Sequence, residues 1–207
     1  MEEKTTVGIT ASKVLALIGS LILIRDAVGL FQSITALSIL LGVFYVIFAA
    51  VIFISLNIIS IPKLKIPYRW IILLIIGAVD LVFALFLSTG TYLSATIILT
   101  AFLIEFLSEK KTYMASKIVV LIGAGIAIYE SIRLMGTASP ILIVNGVFGI
   151  IFAIIAILSL QDKIDVKIPY EWWIILICGF VIFTWINWIG VGGIVIIIGF
   201  ILILMAY

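Results

Sequence analysis

Histidine is missing altogether, and cysteine occurs once, as Cys178 inside an apolar run. Without histidine there is no imidazole to ligate haem or a transition metal, and none to act as a general base near neutral pH. A single thiol cannot form a disulfide within the chain. Charge is scarce as well. Asp, Glu, Lys and Arg make up 11% of the residues, with a net charge of +2, too dilute for a nucleic-acid surface. Asn, Gln, Cys and Met are sparse and isoleucine is the commonest residue, a pattern that fits a heat-adapted source.

What remains is apolar: 66% of the 207 residues are hydrophobic, well above the roughly one half of a soluble domain. The charges gather in the N-terminal segment and in stretches 57–69, 108–117 and 161–171, and between them lie runs long enough for two membrane crossings of roughly 20 residues each. The sequence predicts an all-α polytopic membrane protein of eight spans, near 13–31, 34–56, 68–88, 91–107, 115–135, 140–160, 169–188 and 191–206. Helices are expected because backbone groups in hydrocarbon need internal partners. Barrel strands would alternate polar and apolar residues, and these runs do not. Met1 to Lys13 runs straight into an apolar segment without a small-residue cleavage site, so the first helix is expected to be retained and not removed as a signal peptide.

The joints after the first, third, fifth and seventh spans are short and uncharged. The others carry Lys63, Lys65, Arg69, Lys110, Lys111, Lys117, Lys163 and Lys167, with Lys4 and Lys13 at the start. Basic residues stay on the cytoplasmic side, which predicts a multi-pass protein of the cell membrane with both termini cytoplasmic. Tyr68, Trp70, Tyr170, Trp172 and Trp173 would form the inner aromatic belt, and Trp185 and Trp188 the outer one.

Two motifs recur. Ala11-Ser12-Lys13 with Leu17-Ile18-Gly19 matches Ala115-Ser116-Lys117 with Leu121-Ile122-Gly123, an offset of 104 residues. Lys65-Ile66-Pro67-Tyr68 matches Lys167-Ile168-Pro169-Tyr170, an offset of 102, each proline being expected to open a helix. They predict two four-helix repeats, 1–110 and 111–207, running in parallel and packed as one membrane unit. A finer register places Gly19, Gly77, Gly123 and Gly179 at similar depths in the first helix of each hairpin, with Gly42, Thr100, Gly146 and Gly199 in the second. Small residues at a fixed depth let helix backbones approach, so helix packing is the role expected of these glycines. Gly190, Gly192 and Gly193 read as a tight turn.

Short apolar hairpins with a glycine in each helix resemble the HdeD-type short-repeat membrane proteins. The likeness rests on Gly19, Gly42, Gly77, Gly123, Gly146, Gly179 and Gly199. Proteins of that kind usually show about six helices where this chain reads as eight, and the resemblance implies a link to acid tolerance without implying any catalytic or binding residue.

Five charges fall inside the spans: Arg25, Asp26, Asp80, Glu130 and Arg133. Counted from Lys13, Arg69 and Lys117, the first four lie roughly 17–20 Å deep, just past the middle of a ~30 Å core. A lone carboxylate there costs about 3 kcal/mol, so it should face the bundle interior and find a partner. The structural expectation is a buried layer of ion pairs, Glu130 with Arg133 one turn away and Arg25 with Asp26 or Asp80. The functional alternative is a proton or cation site, best at Asp80, whose repeat equivalent is Ile182. Glu105 reads as interfacial, and Tyr129, Asn145, Thr184 and Asn187 as bonds between helices or the lining of a path, with packing the commoner role.

No catalytic constellation, metal cluster or cofactor motif is present in this reading. Two functions remain. One is a non-enzymatic structural or accessory subunit, with the lipid bilayer and other membrane chains, or further copies of itself, as partners. The other is a small proton- or ion-coupled transporter or channel using the buried carboxylates.

Overall fold

The computed structural model describes residues 10–33, 35–59, 61, 66–86, 92–108, 114–137, 139–160, 169–186 and 190–205, the side chains of 85, 86 and 186 excepted. Among these, eight α-helices and no strand are found: α1 Ala11–Gln32, α2 Ala36–Ser55, α3 Trp70–Phe86, α4 Leu93–Ser108, α5 Ala115–Met135, α6 Pro140–Ser159, α7 Trp172–Ile186 and α8 Val191–Leu204. Four of them, α1, α2, α5 and α6, are long and apolar enough to cross a membrane. The other four are apolar but shorter. The 14 residues of α8 rise only about 21 Å, less than a ~30 Å hydrocarbon core.

Local chemistry sets the ends. Thr10 caps α1, its side chain accepting the Lys13 amide, and Thr35 with Ser38 forms a reciprocal capping box at α2. Asn57 ends α2 in the left-handed region (φ 58°), with the Asn57 amide donating to Ile54 O and the Ile58 amide to Phe53 O. That is the Schellman arrangement, with asparagine standing in for the usual glycine. Pro140 occupies the first turn of α6. Pro67 and Pro169 do not open helices as expected: α3 and α7 begin three residues later, at Trp70 and Trp172. The tyrosine after each proline is held by the preceding part of its own unit, as described below.

The chain divides into two compact units, Met1–Glu109 and Lys110–Tyr207. In the first, α1 packs on α2 and α4, and α3 packs on α4, while α2 and α3 stand further apart and meet through Phe44, Tyr45 and Phe48 against Phe83. In the second, α5 packs on α6 and α8, α7 packs on α8, and α6 and α7 also meet. The last helix of each unit is therefore gripped by the first and the third. In the second unit the core is Val120, Ala124, Ala127, Ala153, Ala156, Ile174, Ile175, Cys178, Ile182 and Ile196.

Glycines make the grip possible. A methyl group at Gly19 would stand 2.6 Å from Ile98 Cγ1, and one at Gly77 2.8 Å from Leu99 Cγ, so both flank α4. Gly123 and Gly179 flank α8 in the same way, at 2.8 Å from Ile196 and 2.9 Å from Ile197. Gly42 lies under the Phe31 ring, Gly146 against Met135 and Ser131 O, and Gly199 against Val120. Gly192 and Gly193 correct the expectation of a tight turn. They form the first turn of α8, where an added methyl group would meet the Ala127 and Phe183 backbone nitrogens at 2.5 and 2.6 Å. Only hydrogen fits between backbones that close.

Outside these seams the helices stay apolar. Leu37, Leu40, Phe44 and Ile47 on α2 are exposed, as are Ile141, Val144, Phe148 and Ile151 on α6. A helix that is hydrophobic on its outer face too belongs in lipid or against another apolar surface.

Candidate functional site

Asp80 sits ten residues into α3 and is 0% exposed. Leu73, Ile76 and Ala84, on the same stripe of α3, are buried with it, so the helix that delivers the acid turns its core face toward the unit interior. The hydroxyls of Tyr45 from α2 and Ser94 from α4 stand beside the carboxylate, and Asp26 from α1 is close enough for its charge to be felt there. α2, α3 and α4 thus each contribute an oxygen-bearing side chain to one buried place, with Asp26 of α1 within electrostatic reach. Neither Asp80 oxygen, nor the Ser94 Oγ, has a hydrogen-bond partner among the described residues.

Asp26 is better provided. Its side chain is 8% exposed, and Arg25 Nε lies 3.5 Å from its Oδ1. The guanidinium side chain itself is 66% exposed, so Arg25 reaches inward from the surface of the unit. The expected pairing of Arg25 with Asp26 is therefore present, between neighbours on one helix. A pairing with Asp80 is not.

In the second unit Glu130 meets neither Arg133 nor any other cation among the described residues. Its Oε1 accepts the Val191 amide at 2.8 Å and its Oε2 the Gly192 amide at 3.2 Å. These are the first two residues of α8, whose amides have no partner within the helix and whose macrodipole attracts an anion. Glu130 is an N-terminal cap supplied from another helix, and the bare glycine is what lets it come so close. Arg133 is exposed on the far turn of α5. The expected Glu130–Arg133 pair is replaced because two fixed amides aimed at the acid outcompete a flexible arginine drawn to the surface. Gly190, Gly192 and Gly193 around a helix start, with an acid at similar depth on α5, are the sequence signal of this contact.

The two recurring motifs converge within each unit. In the first, Ser12 hydrogen-bonds the Tyr68 hydroxyl and donates to Ala101 O at 3.2 Å, with Lys13 Nζ 6.0 Å from the centre of the Tyr68 ring. In the second, Ser116 stands beside the Tyr170 hydroxyl and Lys117 Nζ lies 5.3 Å from that ring. The tyrosine after each proline is thus clasped to the start of the unit's first helix, the ammonium lying over the ring face.

The other polar residues are placed more plainly. Thr184 donates to Phe180 O within its own helix at 2.9 Å, not between helices. Tyr129 is exposed and Glu105 half-buried. Trp185 packs edge-on against Phe148 (ring centres 4.7 Å apart), and Trp70 against Phe106. Asn187 and Trp188 lie outside the described residues. Among the described residues no three His, Cys, Asp or Glu side chains come together.

No family model matches the chain, and no curated protein or solved structure matches it. The likeness to HdeD-type proteins therefore brings no residue roles to this site.

Proposed function

We propose that the chain is a non-enzymatic integral membrane protein, a structural or accessory subunit of a membrane assembly, crossing the bilayer eight times with both termini in the cytoplasm. The observation that carries this reading is the exposed apolar surface of α2 and α6, which water does not tolerate and which lipid or a second membrane chain would cover. The four shorter helices cross as two hairpins, α3 with α4 and α7 with α8, with their flanking residues completing the span. The basic joints support the orientation. Labelling tests the topology: in a Cys178→Ser background, Met114→Cys is protected from an impermeant thiol reagent in intact cells and Thr137→Cys is modified. The reverse pattern overturns it. Purification from the protein's own membranes in mild detergent tests the subunit role. Stoichiometric partners are expected, and a clean monomer overturns it.

A second reading, coupling to proton or ion movement, draws on one observation: Asp80 is buried without a hydrogen-bond partner among the described residues. Flux in proteoliposomes that disappears in Asp80→Asn supports it. No flux in the wild type ends it.

A further inference from the structure

We propose that the first unit binds one dehydrated alkali cation, held by Asp80 with Asp26, Tyr45 and Ser94 around it. Two polar groups carry the inference. The Asp80 carboxylate is 0% exposed and the Ser94 hydroxyl 1%, and neither makes a hydrogen bond among the described residues although they are neighbours. Buried carboxylates and hydroxyls that can reach each other normally pair. Oxygens that share a hard cation at about 2.4 Å instead stand about 3.4 Å apart, at the edge of hydrogen-bonding range. Unpaired oxygens meeting from α3 and α4, with a further hydroxyl from α2 beside them, are what such an ion leaves around itself.

Charge selects the valence. Asp26 is offset by Arg25, 3.5 Å away. Asp80 is left with one negative charge and no basic partner among the described residues. A monovalent cation brings the site to neutrality, whereas a divalent ion would strand a positive charge in an apolar interior. Donor chemistry selects the class: carboxylate and hydroxyl oxygens are hard ligands, suited to alkali and alkaline-earth ions and not to softer metals. The second unit supplies an internal control. Ile182 occupies the position that the 102-residue offset assigns to Asp80, and both Glu130 oxygens are already occupied by amides. The stoichiometry is therefore one ion per chain.

This inference stands apart from both functional readings, because equilibrium binding requires neither a partner protein nor transport. The test uses the full-length protein in mild detergent, its unfolding followed by tryptophan fluorescence while NaCl replaces choline chloride at constant ionic strength. The midpoint is expected to rise with Na⁺ and to saturate. Asp80→Asn should abolish the rise, and Ser94→Ala should shift half-saturation to about tenfold higher Na⁺, the effect of losing one ligand worth ~1.4 kcal/mol. Equilibrium dialysis with radioactive Na⁺ should give one ion per chain. Equal midpoints in NaCl and choline chloride overturn the proposal, as does an Asp80→Asn variant that still responds. A midpoint that moves with pH but not with Na⁺ makes the occupant a proton and also overturns it. Should Asp80→Asn fail to fold, the wild-type dialysis and the Ser94→Ala series decide by themselves.

Discussion

Each unit places an acid near the start of its last helix, fully buried in the first and half-buried in the second, and the two satisfy it differently. In the second, Glu130 places both oxygens on the amides of Val191 and Gly192. In the first, α4 opens with Leu93, Ser94 and Ala95, and Asp80 faces the Ser94 side chain. Glycine at a helix start exposes the peptide as a donor, so the acid is solvated by the fold itself. A serine at that place adds a hydroxyl that can turn either way, and the acid keeps unused capacity. The same architecture thus yields a sealed contact in one unit and an open ligand set in the other.

The contrast can be broken most violently by Ile182→Asp, which buries an acid in the second unit without Tyr45, Ser94 or Arg25 to receive it. A loss of about 3 kcal/mol is expected in thermal unfolding in detergent. Gly192→Ala comes next. Its methyl group would meet Ala127 backbone nitrogen at 2.5 Å, which cannot swing aside, and about 2 kcal/mol should be lost, whereas Gly125→Ala, with nothing within 4 Å, should be neutral or gain a few tenths in the same assay. Glu130→Gln keeps an acceptor for one amide and removes the charge from the helix start. About 1–2 kcal/mol is expected, and equal stability of the variant would reduce the cap to a packing contact. Smallest is Ser12→Ala, which deletes the bonds to Tyr68 and Ala101. About 1 kcal/mol is expected, more than for Ser116→Ala, because the Tyr170 hydroxyl beside Ser116 makes no hydrogen bond among the described residues.

Much of the helical frame was legible in advance. The first span, expected at 13–31, is Ala11–Gln32, and the sixth, expected at 140–160, is Pro140–Ser159. Hydrophobic runs and capping residues are local signals, so they are readable in order along the chain. The starts of α3 and α7 were placed too early because Pro67 and Pro169 suit a first helical turn, and what competes for Tyr68 is Ser12, 56 residues away. The charged centre was legible as a set of residues at similar depth and illegible as a set of contacts. Spacing along a helix suggests Arg133 for Glu130, while the real partners lie 61 and 62 residues on, across a unit whose closure no local pattern reveals. Asp80 stood out because its counterpart is Ile182, and that asymmetry is the one the two carboxylate environments now express.

The distance along the chain between Glu130 and its amides has a bearing on biosynthesis. Polypeptides emerge from the ribosome amino end first. Asp26 leaves with Arg25 already beside it and is compensated at birth. Glu130 enters the insertion machinery with its two donors still 61 and 62 residues from being made. Through that interval its carboxylate has Arg133, one turn on, or water to rely on, and it exchanges that partner for the amides only once Val191 is made, so the settling of α5 should be sensitive to truncation of the nascent chain before Val191.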